Sequence, residues 1–310
     1  MAQQKTVLIL GAAGRFGAAA VAAFAQAGWQ VKAQARRAGH WPAGVVAVQI
    51  DAMDREALIE TAMDCDVIVN ALNPLYTEWP KFARPLAAHA LAAAQASGAL
   101  LMFPGNVYNF GRHMPSDLQL NTPQIGDHEK AKIRIEIEQA MQQAHGVDSV
   151  VVRAGDYFGA GTGSWFDEVI IKDLHKNKVV YPGPSDIPHA WAYLPDLAAS
   201  FVLLAEQRAQ LRGAHTFHFA GHTFTGQQLR QEIEAIEGRP LQLGTLPWGI
   251  LKLIGVFAAM PRAIVQMRYL WQRPHQIDGS SLPQQIGVVP HTPLNLALRA
   301  TLAQWAAATA

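Results

Sequence analysis

Three glycines at a fixed spacing follow a short apolar run near the start of the chain. Gly11, Gly14 and Gly17 form a G-x-x-G-x-x-G loop directly after Val7–Leu10. Glycine lets the backbone turn tightly and approach a phosphate, whose charge meets the amides of a helix N-terminus. A tight turn in an alanine-rich helix is the alternative, but the position after the first strand favours a phosphate site. The residues predicted to hold a dinucleotide pyrophosphate are Gly11, Gly14, Arg15, Phe16 and Gly17.

The rest of the first half alternates short β-rich runs with longer alanine-rich segments, which is typical of a parallel sheet with crossover helices. The predicted strands are Val7–Leu10, Gln30–Ala35, Val45–Ile50, Val67–Asn70, Ala99–Phe103 and Ser149–Arg153. The predicted helices are Phe16–Ala27, Asp54–Ala62, Trp79–Ser97 and Asp127–Ala144. Six strands in this rhythm predict an α/β fold of the Rossmann type, a doubly wound parallel sheet.

After Gly155 the rhythm breaks into loops rich in glycine and proline, followed by a helix from Pro195 and a strand near Thr216–Phe219. We therefore expect a dinucleotide-binding domain over 1–160, completed by 186–220. The segments 161–185 and 221–310 are expected to form a smaller substrate-binding lobe, packed on the sheet without a flexible tether.

Composition excludes several classes of function. The chain has 310 residues, of which 16% are charged, and a net charge of +1, so a nucleic-acid partner is not expected. The single cysteine, Cys65, fits a reducing compartment, and a cytoplasmic location follows by default. The longest later apolar stretch, Trp248–Met260, is too short to span a bilayer and contains Lys252.

Five further segments occur in the order expected of one family. Asp51-Ala52 follows the third strand, Asn70-Ala71-Leu72 ends the fourth, and Asn106–Gly111 follows the fifth. Arg153–Gly159, which includes Gly155 and Tyr157, and Trp191–Ala198 come later. With the glycine loop, this order resembles the extended short-chain dehydrogenase/reductase superfamily, the NAD(P)-dependent epimerase/dehydratase group. The resemblance implies that Asp51 and Ala52 meet the adenine, that 70–72 lie beside the ribose, and that Gly155 and Tyr157 lie near the nicotinamide.

The end of the second strand bears on the choice of cofactor. An Asp or Glu there accepts hydrogen bonds from the ribose hydroxyls of NAD and would repel the 2′-phosphate of NADP. This chain has Ala35, Arg36 and Arg37 instead, and guanidinium groups suit forked phosphate contacts. We therefore favour NADP, with NAD still possible. The alternative is that both arginines are solvated surface residues.

The catalytic pattern of the superfamily is only partly present. The resemblance implies a Tyr-x-x-x-Lys pair on the helix after the fifth strand. If Lys132 is the lysine and Glu136 the acid that commonly follows, His128 stands where the tyrosine is expected, whereas choosing Lys130 puts Gly126 there. Residues four apart share a helical face, so His128 and Lys132 would project together, Lys132 towards the ribose and His128 as a proton shuttle. The alternative is a histidine at the helix start or facing solvent.

The family's usual serine or threonine after the fifth strand is also missing. Pro104 stands there, and proline offers no hydrogen-bond donor. Asn106 is able to orient a substrate carbonyl, or equally to stabilise the turn. Tyr108 is a further phenol in the segment, although packing is the more common role at this position. The chain therefore resembles an atypical member.

Two other features of the sequence bear on ligand binding. His215, His218 and His222 are the densest histidine group, but strand positions three apart face opposite sides, so a metal site is not predicted. Gly163–Phe166 follows the second glycine loop and is able to present aromatic side chains to a ligand. Aromatic and methionine side chains recur between Trp248 and Trp271, where core or a homodimer face is more common than a ligand pocket. Arg262, Arg268 and Arg273 are consistent with either an anionic substrate or a membrane surface as a binding partner.

Taken together, the sequence favours an NAD(P)-dependent oxidoreductase or epimerase/dehydratase that acts by hydride transfer on a small molecule. Its proposed catalytic residues are Lys132, His128 and Asn106. The rival is an NADP-binding sensor or assembly factor without turnover, which the missing tyrosine and serine permit.

Overall fold

Residues 4–37, 39–159 and 161–309, described by a computed structural model, are organised around one large parallel sheet. The strands within these residues are β1 Thr6–Leu10, β2 Gln30–Gln34, β3 Val46–Val48, β4 Val67–Asn70, β5 Leu100–Asn106, β6 Asp117–Leu118, β7 Ser149–Ala154, β8 Asp156–Phe158, β9 Lys178–Tyr181, β10 His189–Tyr193, β11 Ala214–His218, β12 His222–Phe224, β13 Gln242–Thr245 and β14 Gln276–Ile277. The helices are α1 Arg15–Gln26, α2 Arg55–Ala62, α3 Trp79–Ser97, α4 Glu129–Gln143, α5 Leu194–Glu206, α6 Gly226–Glu237, α7 Trp248–Ile254, α8 Ala259–Gln266, α9 Arg268–Gln272, α10 Ser281–Ile286 and α11 Leu294–Thr309.

The central sheet has seven strands in the order β11-β7-β5-β4-β1-β2-β3, and every pairing in it is parallel. The chain moves in one direction from β1 to β3 and then in the other from β4, so the strand order reverses between β1 and β4. Ligands of open α/β sheets bind in the crevice beyond the carboxyl ends of the strands at such a reversal. The Rossmann-type fold predicted from the sequence is confirmed.

The sheet is buried on both faces, which explains why its central strands are continuous apolar runs. Every residue of β1 and of β4 is buried. One face packs on α1 and α5, where Phe16, Phe24 and Phe201 are in the core, and the other face packs on α2, α3 and α4. These helices cover the sheet and leave its carboxyl edge for the loops.

All of the predicted strands and helices are present, with ends that differ by at most three residues. The first and last residues of β4 and α3 are those predicted, Val67–Asn70 and Trp79–Ser97. The run Ala99–Phe103 is longer as β5, which continues through Pro104 to Asn106. The helix expected from Asp127 begins at Glu129, and this difference matters for the site.

Beyond the central sheet, three small sheets join distant segments. They are β12-β10-β8, β13-β9 and β14-β6. The pairing of β8 with β10 brings the segment after β7 against the segment before α5. Within the described residues, none of the helices is both long and apolar enough to cross a membrane.

Candidate functional site

The glycine loop is packed so closely that side chains would not fit in it. Gly11 has φ of +69°, a conformation that favours glycine. A methyl group on Gly17 would overlap the carbonyl oxygen of Gly11 and lie 2.9 Å from the Cα of Ala12. Gly14 is the N-cap of α1 and supplies no capping side chain, so the amides of the first helical turn are left for an anion. This cradle fits a dinucleotide pyrophosphate.

Gln34, a buried residue at the end of β2, fixes the loop to the sheet. Its side-chain oxygen accepts a hydrogen bond from the Gly11 amide at 2.9 Å, and its side-chain nitrogen donates to the Ile50 carbonyl at 2.7 Å. Its own carbonyl accepts from the Ala12 amide at 2.9 Å. Sequence reasoning overlooked Gln34, although a polar residue in an otherwise buried strand was a signal.

The residues expected on the adenine side lie at neighbouring strand ends. Arg36 and Arg37 follow β2 and are exposed, and within the described residues neither guanidinium pairs with a carboxylate. Asp51 follows β3, where its carboxylate accepts from the Met53 amide at 3.0 Å and shapes the turn that holds Ala52.

The segment 70–72 lies directly against the glycine loop. The carbonyl oxygen of Ala71 is 3.0 Å and the Cα of Leu72 is 3.1 Å from the point where a Cβ on Gly11 would be. The Asn70 side-chain oxygen accepts from the Leu72 amide at 3.3 Å, which turns the chain at the end of β4. The structure therefore brings this segment and the glycines together at the reversal of strand order.

The segment Arg153–Gly159 meets the other side of the loop. The Arg15 guanidinium donates to the Gly159 carbonyl at 3.3 Å, and burial lowers the pKa of Arg15. The ring of Phe16 is 6.4 Å from that of Tyr157, whose hydroxyl donates to the Gly105 carbonyl at 3.4 Å. Gly155 is required by the close approach of β10, since a Cβ there would overlap the Ala190 carbonyl.

Asn106 stabilises a turn in this structure. It is the last residue of β5, and its side-chain oxygen accepts from the Tyr108 amide at 3.0 Å, capping the 3₁₀ helix Val107–Phe110. This contact corresponds to the second of the two roles considered for Asn106. The hydroxyl of Tyr108 lies 2.6 Å from that of Tyr76, so this phenol is hydrogen bonded as well as packed.

His128 and Lys132 do not share a helical face, contrary to the sequence prediction. Helix α4 begins at Glu129, so His128 is the N-cap, with extended backbone angles, and its Nδ1 accepts from the Ala131 amide at 3.3 Å. Its Nε2, which then carries the proton, donates to the Tyr269 hydroxyl at 2.8 Å. Burial lowers the pKa of His128 to about 4, whereas Lys132 is exposed.

The buried face of α4 instead carries Lys130 and Arg134, which are four residues apart. The Lys130 ammonium donates to the Gln266 side chain at 2.9 Å, and burial lowers its pKa. The Arg134 guanidinium donates to the Pro104 carbonyl at 3.3 Å. It is held between two rings, 4.7 Å from the centre of Trp79 and 4.9 Å from that of Phe103. Arg134 therefore reaches the end of β5, whereas Lys132 is exposed.

Two acids on α4 explain why the predicted register of this helical face differs from the observed one. Glu136, taken as the acid that follows the lysine, is exposed and pairs with Arg84 at the surface. Glu138 is buried, and its carboxylate accepts from the Arg153 guanidinium at 2.7 Å. Counting back from Glu138 rather than Glu136 moves the pair from His128 and Lys132 to Lys130 and Arg134.

Phenol groups surround the pair. The Lys130 ammonium lies 5.2 Å from the ring centre of Tyr76, which is hydrogen bonded to Tyr108. Burial raises the pKa of Tyr76 and of Tyr157 to about 12, so both phenols are neutral at physiological pH. Lys130 thus lies over one of these neutral phenols, and Arg134 lies at the carboxyl end of β5.

A cavity of about 480 Å³ lies next to this cluster and is lined in part by α7 and α8. Its lining includes three cations and two residues that contact the start of α4: Arg112, Lys252, Arg262, Gln266 and Tyr269. Gln266 accepts from Lys130, and Tyr269 accepts from His128. A small anion in this cavity would therefore lie beside the helix that carries Lys130.

One histidine cluster and the first aromatic stretch contain residues that have contacts inside the protein. Among the described residues, one group has the spacing of three metal ligands, namely Asp196, His222 and His291. The Asp196 carboxylate already accepts from the Thr292 amide and hydroxyl at 2.6 and 2.7 Å. Phe166, from Gly163–Phe166, is buried against Phe158, with ring centres 5.6 Å apart, and so packs in the core.

The fold and the glycine cradle define a dinucleotide-binding protein of the Rossmann type. The family model described as "NAD dependent epimerase/dehydratase family" matches residues 7–219, and the chain belongs to that family. A search of curated proteins finds no match.

Solved structures that resemble the chain cover nearly all of it at low sequence identity. They include a putative epimerase from Burkholderia cenocepacia J2315, with 16% identity, 98% of this chain and 99% of that chain covered, and a TM-score of 0.75. L-threonine dehydrogenase from Clostridium difficile has 18% identity, 99% coverage of both chains and a TM-score of 0.77. UDP-glucose 4-epimerase from Brucella ovis in complex with NAD has 15% identity, coverage of 97% and 98%, and a TM-score of 0.77. At these identities the likeness supports the fold alone.

Proposed function

We propose that the chain is an NADP-dependent oxidoreductase or epimerase/dehydratase in which Lys130 and Arg134 take the positions that the superfamily gives to tyrosine and lysine. The observation that carries the proposal is that Arg134 contacts Pro104 in β5, next to the Gly105 carbonyl that Tyr157 contacts. Lys130 lies over the ring of Tyr76, which is hydrogen bonded to Tyr108 just after β5. The same proposal assigns the sheet domain to the cofactor and the segments 161–185 and 221–310 to the substrate. We place the protein in the cytoplasm.

The cofactor, when bound, would supply a hydride donor or acceptor at the nicotinamide. The first-turn amides of α1 would hold the pyrophosphate, and 70–72, Gly155 and Tyr157 would line the path to the nicotinamide. Arg134 is our candidate for the ribose contact, because its charge is permanent and its planar group presents several donors. Lys132, the earlier candidate for this contact, is exposed.

Lys130 is our candidate for proton transfer. A lysine whose pKa is lowered by burial exchanges a proton more readily near neutral pH than a solvated one. In a carbonyl reduction, the ammonium would give its proton to the substrate oxygen, and in the reverse direction the amine would take it back. His128 is less suited, because both of its ring nitrogens are engaged within the protein. Asn106 contributes by positioning Tyr108.

Replacing Lys130 and Lys132 separately by methionine provides a matched test, because the two residues lie on the same helix. We expect K130M to bind NADPH as wild type does and to lose turnover, whereas K132M keeps both. NADPH consumption across a panel of carbonyl compounds and nucleotide sugars is the measurement. If K132M lost activity while K130M kept it, the assignment of Lys130 would be refuted and Lys132 would be the functional lysine.

Cofactor preference is tested by substituting the two arginines that follow β2. R36A and R37A should each weaken NADPH binding about tenfold to a hundredfold, because a charge-assisted hydrogen bond contributes about 1.5–3 kcal/mol. Both should leave NADH binding nearly unchanged. Arg299, exposed on α11, is the control position. Tighter binding of NADH than of NADPH by the wild-type protein would refute the NADP assignment.

The rival function is an NADP-binding sensor or assembly factor, and one observation favours it. Pro104 stands where a hydroxyl is expected, and its carbonyl is occupied by Arg134. A protein that binds NADPH but neither oxidises nor reduces it with any member of the panel would support the sensor.

A further inference from the structure

One stretch of the chain carries only positive charges. Residues 238–277 contain no aspartate or glutamate and five lysine or arginine residues, in a chain whose net charge is only +1. The cations are Arg239, Lys252, Arg262, Arg268 and Arg273. This region therefore attracts anionic surfaces, and the remainder of the chain, with net negative charge, does not.

The α7–α8 hairpin, residues 248–266, lies within this region and exposes large apolar side chains. None of the residues of α7 is buried. The apolar residues that are exposed are Ile250 (59%), Leu253 (67%), Ile254 (45%), Val256 (62%), Phe257 (86%) and Met260 (37%). Single exposed apolar residues are ordinary, but six on one hairpin form a contiguous segment that needs an explanation.

The turn of the hairpin is held in a fixed form. The Arg262 guanidinium donates to the carbonyls of Gly255 and Val256, both at 2.8 Å. These bonds tie the start of α8 to the end of α7 and leave Phe257 between the helices with most of its ring exposed. The exposed apolar side chains are therefore presented by a turn of defined conformation.

We propose that the α7–α8 hairpin docks on the surface of a lipid bilayer that contains anionic lipids. Helices of seven and eight residues are too short to span a bilayer, but an apolar face beside cations is suited to lie in the interface. The apolar side chains enter the boundary of the acyl chains, and Lys252 and Arg262 meet the anionic head groups. This inference goes beyond the proposed function and does not depend on turnover.

A second copy of the chain is the other occupant to consider, and charge disfavours it. In a twofold-symmetric contact the same patch of each copy meets its counterpart. The hairpin would then bring Lys252 and Arg262 of one copy against the same residues of the other, with no acid in residues 238–277 of either. An anionic bilayer supplies the opposite charge.

The test measures sedimentation of the full chain with vesicles. One set contains phosphatidylcholine and phosphatidylglycerol at 70:30, and the other contains phosphatidylcholine alone. We expect partitioning at least about tenfold stronger into the anionic set, since each basic residue near such a surface adds about 1 kcal/mol. Sodium chloride at 0.5 M should remove most of the difference. Equal and weak partitioning into both sets would overturn the proposal without any variant.

Two variants and a matched control locate the surface. L253D and F257D should each weaken vesicle binding about tenfold or more, because each loses the burial of a large apolar side chain. Val288 is 88% exposed outside the hairpin, and V288D should bind as wild type does. Thermal midpoints and NADPH affinity should be unchanged in all three. Binding by F257D equal to wild type, or a wild-type dimer that F257D converts to a monomer without any vesicle binding, would overturn the proposal.

Discussion

Substitution of Gly17 by alanine tests the cofactor cradle at its tightest point. The added Cβ would overlap the Gly11 carbonyl and lie 2.9 Å from the Cα of Ala12, and all of these neighbours are backbone atoms. Ordinary carbon contacts are about 3.5 Å or longer, so α1 has to move away from the loop by about 0.5–1 Å. Overpacking of this kind costs about 1–3 kcal/mol of unfolding free energy.

The same movement carries the first-turn amides away from the phosphate. If one charge-assisted hydrogen bond is lost, at about 1.5–3 kcal/mol, NADPH affinity falls roughly tenfold to a hundredfold. The assays are fluorescence titration with NADPH and unfolding in urea. Gly249 is the control, because a Cβ there meets no atom within 4 Å and its conformation accepts alanine. A G17A protein with wild-type affinity and stability would refute the close packing on which the cradle depends.

Two further predictions concern buried charge. E138A removes one partner of the buried pair with Arg153 and should lower the free energy of unfolding in urea by about 3–5 kcal/mol. E136A, at the surface, should lower it by less than about 1 kcal/mol. Equal losses in the two variants would contradict the burial of Glu138. The pKa of buried His128 is lowered to about 4, below the unfolded value of about 6.5, so its contribution to stability is present above pH 6.5 and is lost as the pH falls towards 4. H128N keeps an N-cap residue, so it should make the melting temperature fall less steeply between pH 6.5 and 4, without loss of turnover. A dependence on pH as steep as that of the wild type would contradict the role given to His128.

Local patterns were sufficient to predict the sheet and its helices. Buried parallel strands are continuous apolar runs, so Val67–Asn70 was identified to the residue. Trp79–Ser97 was equally clear, because Gly98 ends the helix in the left-handed conformation. The end of β5 was harder, since Pro104 is uncommon within a strand and its continuation depends on pairing with β7.

The cofactor side of the site was more accessible to sequence reasoning than the catalytic side. Glycine spacing is a local property, and the contacts of the loop with 70–72 and with Gly159 agree with it. The bond from the Gly11 amide to Gln34 was not anticipated, because it joins the loop after β1 to the end of β2, 23 residues later.

The glycine loop and the succession of strands and helices along the chain were determined by the sequence itself, because both depend on residues close together in the chain. Which face of α4 meets the sheet was decided only by tertiary structure. His128 with Lys132 and Lys130 with Arg134 have the same spacing, so helical periodicity alone does not distinguish them. The choice follows from the buried pair of Glu138 with Arg153, which are on different elements and meet only when α4 packs against β7. That contact turns Lys130 and Arg134 inwards and leaves Lys132 in solvent.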